Sequence, residues 1–154
     1  MVRRWAAIGF VAVMLTPTTA VASADPATPC GPALAGAMTW QPGEPAPLVC
    51  ADDLWRPVAD PYPASDRWLS YSTPMTLHGG GRQNPELESG QWTATPLDTD
   101  GRCRAEQLSV TYGKVDGPPR IDQNDPGRQM SLEVVPRLLT IELSGNCLWQ
   151  RVNR

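Results

Sequence analysis

Residues 130–150 read MSLEVVPRLLTIELSGNCLWQ and contain the two clearest β-strand patterns of the chain. Apolar and polar residues alternate over Met130–Val134 and again over Leu139–Leu143, which is typical of strands with one buried face. Ser144–Asn146 then predicts a turn before a further strand at Cys147–Val152. Short strands separated by turn residues predict an antiparallel β fold.

The same pattern of short predicted strands separated by turn residues extends upstream of this stretch. Gln91–Leu97 and Cys103–Tyr112 flank a turn at Asp98–Gly101, which predicts a β-hairpin. The polar, proline-containing segment Gly113–Arg128 predicts a loop. A further short strand is predicted within Trp68–Met75.

These patterns predict a mainly β domain over residues 67–154, a small antiparallel β-sandwich or half-barrel of five or six strands. Residues 25–66 differ because they contain nine prolines, which remove backbone donors and disfavour central strands. We expect this segment to form a proline-rich arm closed by a disulfide. The aliphatic core is expected from alternate strand residues: Leu108, Val110, Met130, Leu132, Val134, Leu139, Ile141 and Leu143.

Residues 1–24 have the three parts of a signal peptide. Arg3 and Arg4 precede the apolar run Trp5–Leu15, and Ala22–Ala24 supplies the small residues found before a cleavage site. The apolar run is shorter than the roughly 20 residues that span a bilayer. We therefore expect cleavage near Ala24, export to the cell envelope or the medium, and no membrane span in the mature protein.

The four cysteines are Cys30, Cys50, Cys103 and Cys147. An even number in an exported protein predicts two disulfides, for which three pairings are possible. We favour the first with the second and the third with the fourth, because each pair then lies in one compositional segment. The chain has no C-x-x-C and a single histidine, so no metal site or other cofactor is predicted.

Spaced glycine, cysteine and tryptophan residues run through Gly90–Trp149. They include Gly-x-Trp-x-Ala from Gly90, Gly-x-Cys ending at Cys103, and Ser-Gly-Asn-Cys-x-Trp over Ser144–Trp149. This arrangement resembles small secreted β domains of actinobacteria, which are largely of unknown function. The resemblance implies a β fold and a bridge from Cys103 to Cys147, and it supplies no active site.

Charge excludes one class of partner. Without Arg3 and Arg4, 11 basic and 16 acidic residues remain, which gives a net negative charge. Binding of a negatively charged protein to nucleic acid or to an anionic membrane is disfavoured. The acidity is concentrated in residues 25–100, which have ten carboxylates and three arginines, whereas residues 101–154 have six carboxylates and eight basic residues. We expect the acidic arm to dock on the mildly basic sheet.

Aromatic residues are the best candidates for a binding surface. Trp92 and Trp149 lie in predicted strands and are expected in the core. Trp40 and Trp55 lie in the proline-rich arm, where burial is harder. Exposed tryptophan stacks on sugar rings or anchors a protein partner, so these two residues are predicted to contact a protein or an envelope glycan.

His78 precedes three glycines, which predicts an exposed residue at a flexible loop. As a general base it would need a partner, and Ser70, Ser72 or an aspartate remain open. We predict no catalytic residue and treat His78 as a binding candidate. Two carboxylate pairs beside turns are predicted to be solvated: Asp98 with Asp100, and Glu86 with Glu88.

The sequence therefore favours an exported binding or interaction domain without catalytic activity. The alternative is a small secreted hydrolase, or a hydrolase inhibitor, that uses the His78 loop. The oligomeric state is left open by these patterns.

The exported form is expected to begin at Asp25, because cleavage follows the small residues Ala22–Ala24. Intact mass spectrometry of the protein recovered outside the cell measures this directly. Recovery of a species that retains residues 1–24 would contradict the predicted cleavage.

Overall fold

The computed structural model describes residues 24–152. This part of the chain is mainly β, with two sheets, two disulfides, a 3-10 helix at Pro32–Leu34 and no α-helix, so the predicted fold class is confirmed. The predicted signal peptide, apart from Ala24, lies outside the described residues. No helix in residues 24–152 is long and apolar enough to cross a membrane.

Residues 24–152 form twelve strands, numbered in chain order. They are β1 (Met38–Thr39), β2 (Leu48–Ala51), β3 (Leu54–Pro57), β4 (Arg67–Ser70), β5 (Met75–His78), β6 (Gly90–Pro96), β7 (Arg104–Thr111), β8 (Lys114–Val115), β9 (Arg120–Gln123), β10 (Met130–Val134), β11 (Leu138–Ser144) and β12 (Cys147–Arg151). The large sheet has the order β10-β6-β12-β4-β1-β2-β3, and the small sheet has the order β5-β11-β7-β8, with β9 also beside β7.

Three strands of the large sheet come from the proline-rich segment. The expectation that this segment contains no central strand is wrong, because β1 and β2 both lie inside the sheet. They are only two and four residues long, so they fit between prolines. Met38 pairs in parallel with Trp68, and through this pair the sheet continues across residue 66.

The two sheets share one hydrophobic core. Its largest side chains are Trp68, Trp92 and Trp149 of the large sheet, each at most 1% exposed. The small sheet contributes aliphatic residues such as Leu77 and Ile141. The predicted burial of Trp92 and Trp149 is confirmed.

The predicted hairpin between residues 91 and 112 is wrong. β6 pairs with β10 and β12, whereas β7 pairs with β11, β8 and β9, so the chain crosses between sheets at residues 97–103. The chain crosses between the sheets again at residues 145–146. The single strand predicted within Trp68–Met75 is also wrong, because these residues are divided between β4 of the large sheet and β5 of the small sheet. Alternation shows that a strand has a buried face, but it does not show which sheet the strand joins. The loop predicted at Gly113–Arg128 also contains β8 and β9.

The inward face of β7 also differs from the prediction. Ala105 and Gln107 are buried, whereas Leu108 and Val110 are only half-buried. Gln107 occupies a core position because its amide bonds to the edge of β10: Nε2 donates to Glu133 O at 3.0 Å, and Oε1 accepts from the backbone N–H of Val135 at 3.3 Å. A polar side chain therefore connects the two sheets.

The favoured cysteine pairing is confirmed. Cys103 and Cys147 are fully buried and connect the start of β7 in the small sheet to the start of β12 in the large sheet. Cys30 and Cys50 connect the N-terminal segment to β2, within a second apolar cluster that includes Leu48, Trp55 and Leu69. Two disulfides indicate an oxidising, extracellular compartment.

Replacing Cys103 and Cys147 by Ser is expected to lower the free energy of unfolding by about 4 kcal/mol, because their bridge joins the two sheets. Urea unfolding measures this change. The same replacement at Cys30 and Cys50 is expected to increase hydrogen exchange mainly in residues 24–66. A uniform increase across both sheets in the second variant would show that the bridge at Cys50 stabilises the whole sandwich.

Candidate functional site

His78 lies at the end of β5 and bonds to Glu86. Its Nδ1 is 3.0 Å from Glu86 Oε2, and the two side chains are 33% and 8% exposed. The predictions of an exposed histidine on a flexible loop and of a solvated Glu86 are therefore wrong. Ser70, considered as a partner, instead accepts from the indole N–H of Trp149 at 2.8 Å and donates to Gly145 O at 2.6 Å.

The glycines after His78 explain the difference. A Cβ added at Gly79 would lie 2.5 Å from Leu138 Cβ, and one at Gly81 would lie 2.7 Å from Leu138 O. The backbone N–H of Gly81 also donates to Leu138 O at 2.7 Å. Gly79 and Gly81 therefore allow close packing against Leu138 at the start of β11.

Glu86 holds together three parts of the site. Oε2 also accepts from the backbone N–H of His78 at 2.7 Å, and Oε1 accepts from the hydroxyl of Tyr62 at 3.1 Å. The Glu86 backbone exchanges further bonds with His78 O and Ser65 N. A buried carboxylate requires such donors. The Nδ1 side of the imidazole faces Glu86, so Nε2 is the nitrogen left to meet a ligand.

Tyr62 extends this hydrogen-bonded chain toward an aromatic pair. Burial raises the pKa of the Tyr62 phenol well above its ordinary value, and the charge and hydrogen bond of Glu86 and the charge of Asp60 add to the rise. The phenol therefore stays neutral and donates to Glu86 at physiological pH. Its ring packs edge-on against Trp40, with centroids 6.5 Å apart.

Among the clefts beside this cluster, two are lined by His78 or Glu86. The first has a volume of about 310 Å³ and is lined by Trp40, Pro42, Pro74, Met75, Thr76 and His78. The second has a volume of about 450 Å³, and its lining includes Asp60, Tyr62, Glu86 and Glu88. The chain of bonds from Tyr62 through Glu86 to His78 therefore reaches both clefts.

The structure brings together two of the three predicted binding residues. Trp40 and His78 line the same cleft, although they are far apart in sequence. Trp55 is 2% exposed in the second apolar cluster, so its predicted role in a contact surface is wrong. Its β3 position and the N-terminal segment that pairs with it account for this burial, since the Trp55 backbone bonds to Ala27 and Thr28.

Tyr62 and Glu86 are members of the site that the sequence patterns do not indicate. No motif joins Glu86 to His78, and a carboxylate beside Pro85 is usually solvated. Glu88 behaves as predicted, since it is exposed and its carboxylate is 2.6 Å from Arg151. Asp98 and Asp100 are likewise exposed.

Comparison with protein-family models, with curated proteins and with solved structures finds no match. The resemblance over Gly90–Trp149 therefore stays a prediction. Within residues 24–152, no group of three or more His, Cys, Asp or Glu side chains is arranged to hold a metal ion.

Replacing Glu86 by Gln is expected to lower the pKa of Tyr62 toward its ordinary value, because the carboxylate charge is removed while the burial remains. Ultraviolet titration of tyrosinate measures the shift, and the Tyr62→Phe variant identifies the transition. An unchanged Tyr62 transition in Glu86→Gln would contradict the assigned hydrogen bond.

The same pKa sets the direction of alkaline destabilisation. A raised folded-state pKa means that the folded protein binds the phenol proton more tightly, so the free energy of unfolding decreases as pH rises above about 10. Tyr71 acts in the same direction, since burial and Asp25 raise its pKa to about 12. Urea unfolding at increasing pH should therefore show a shallower decline for Tyr62→Phe than for wild type.

Proposed function

We propose that this protein is exported after cleavage near Ala24 and works outside the cell or in the envelope by binding a ligand, without catalysing a reaction. The ligand site is the cleft lined by Trp40 and His78. The signal sequence and the two disulfides support the location. The cleft supports the binding role, because an aromatic wall and a few convergent polar groups are the usual composition of ligand sites.

One observation carries the proposal: Trp40 follows β1 of the large sheet, His78 ends β5 of the small sheet, and each side chain is held in place in the cleft that both line. The indole N–H of Trp40 donates to Glu44 O at 3.1 Å, and its ring rests on Tyr62. Glu86 orients the imidazole. Side chains held before binding lose little conformational entropy when the ligand arrives.

The cleft presents apolar surface from Trp40, Met75 and two prolines beside the polar groups of Thr76 and His78. A ligand with both apolar and hydrogen-bonding surface fits this composition. A protein segment and an envelope glycan both meet the requirement, as expected from the sequence.

A hydrolase is the second candidate, and the pair of His78 and Glu86 favours it. A carboxylate on Nδ1 orients an imidazole so that Nε2 accepts a proton from a nucleophile. Thr76 lies two residues from His78 on the same strand and lines the same cleft. Within residues 24–152, however, no hydroxyl bonds to Nε2, so binding has the stronger support. Ester hydrolysis by wild type that disappears in His78→Gln would favour the hydrolase.

Replacing Trp40 by Ala is expected to reduce ligand capture by about tenfold or more, since a central aromatic anchor typically contributes about 2 kcal/mol to binding. Capture from culture supernatant and envelope fractions by immobilised protein measures the effect. His78→Gln should weaken capture as well. Tyr112→Ala is the matched control, because Tyr112 is 99% exposed at the β7–β8 turn and outside the cleft lining.

Near-ultraviolet circular dichroism checks that each variant retains its packing. Equal capture by wild type, Trp40→Ala and His78→Gln would place the ligand elsewhere and contradict the proposed site.

A further inference from the structure

The first cleft lies along an open strand edge. β5 pairs with β11 on one side and is the last strand of the small sheet on the other. At His78, the backbone N–H and C=O bond outward to Glu86, at 2.7 and 2.8 Å. The facing pair of His78 and Thr140 is therefore not hydrogen-bonded. Because this pattern alternates along an antiparallel ladder, the N–H and C=O of Thr76 also point away from β11.

Both ends of this edge are closed, and its middle is open. Pro74 has no N–H to offer, and Glu86 occupies the edge at His78. Between them, the backbone N–H and C=O of Thr76 bond to no group in residues 24–152. Trp40 and Pro42 line the same cleft as Thr76. The opening therefore has the groups needed to pair with a short added strand, which is the mode known as β-augmentation.

The charges beside Thr76 indicate the charge of the strand that would pair with β5. Glu142 faces Thr76 on one side and Glu106 on the other, and like charges directly opposite each other destabilise a sheet. Glu106 has a partner in Arg104 at 2.7 Å, whereas Glu142 has no ion-pair partner among the described residues. A cation placed next to Thr76 would relieve this repulsion, and Thr76 is small enough for a long side chain to extend across it.

We propose that the cleft binds an extended basic peptide, which adds to β5 as a short strand. Its backbone bonds to the N–H and C=O of Thr76, its Lys or Arg opposite Thr76 reaches Glu142, and the apolar residues on either side face Trp40. This inference rests on the proposed function and names the ligand class of the same cleft. The excess of carboxylates in residues 25–100 attracts a ligand of the same positive sign.

A capped peptide with Val-Lys-Val at its centre is the probe, and NMR of the whole mature chain is the measurement. Binding is expected to slow hydrogen exchange of the Thr76 amide and to shift the indole N–H of Trp40. A peptide with Glu in place of Lys is the charge control. A peptide N-methylated at the Lys lacks the donor for Thr76 O and should bind roughly tenfold more weakly.

Two protein variants test the same contacts. Glu142→Gln should weaken the Lys peptide by about twofold to fivefold, as expected for a partly exposed ion pair. Thr76→Pro removes the outward N–H and should weaken all peptides, and proline is tolerated where an edge N–H faces solvent. If Thr76→Pro fails to fold, Glu142→Gln and the N-methylated peptide still decide the question.

Unchanged Thr76 exchange at saturating peptide, or equal binding of the Lys and Glu peptides, would overturn the inference. Capture that depends on Trp40 without peptide binding would leave the proposed function standing and remove the peptide as its ligand. Binding of a soluble cell-wall glycan fragment that shifts the NMR signal of the Trp40 indole N–H would likewise leave the proposed function standing and remove the peptide as its ligand. A concentration-dependent dimer that Thr76→Pro abolishes would identify a second copy as the occupant and would also overturn the inference.

Discussion

The packing of three tryptophans between two sheets is the constraint on which the rest of the structure depends. Trp68, Trp92 and Trp149 all come from the large sheet, and the facing side includes residues as small as Ala105. Residues 25–154 contain no phenylalanine, so these indoles supply the bulk that keeps the sheets at packing distance. Trp149 is also anchored through Ser70 to Gly145, at the point where the chain passes from one sheet to the other.

That crossing explains why a glycine occurs at position 145. Its φ is 91°, and an added Cβ would collide with Arg102 O. Cys147 follows two residues later and is bridged to Cys103. The tight turn, the tryptophan anchor and the disulfide therefore act at one corner of the sandwich. His78 ends β5 of the small sheet and Trp40 follows β1 of the large sheet, so their cleft is lined by residues from both sides of the sandwich.

Much of the fold is predictable from local pattern. The strand at Met130–Val134 has the predicted bounds, and both disulfide pairs follow from composition. The assignment of strands to sheets is not predictable in this way, since the period of two is the same in either layer. Gln107 shows the second limit, because a glutamine at an inward position is understood only when the β10 edge that it bonds is known.

The site was less predictable than the fold. Trp40 could be found because a tryptophan among prolines is hard to bury, but the same reasoning failed for Trp55, which strand pairing buries. The three glycines after His78 suggest mobility, whereas Gly79 and Gly81 lie too close to Leu138 to leave room for a Cβ. Glu86 has no sequence signal at all, since its role arises from backbone and side-chain contacts that only the folded chain brings together.

The burial of Cys103 and Cys147 has a consequence for the protein's lifetime outside the cell. Both residues have no accessible surface, whereas Cys30 is half-buried. A thiolate must approach a sulfur in line to exchange with a disulfide, so a reductant reaches the bridge between Cys103 and Cys147 only after the sheets separate. The rate at which the sandwich opens therefore limits the reduction of this bridge. The bridge between Cys30 and Cys50 is the first to exchange when the surroundings become reducing.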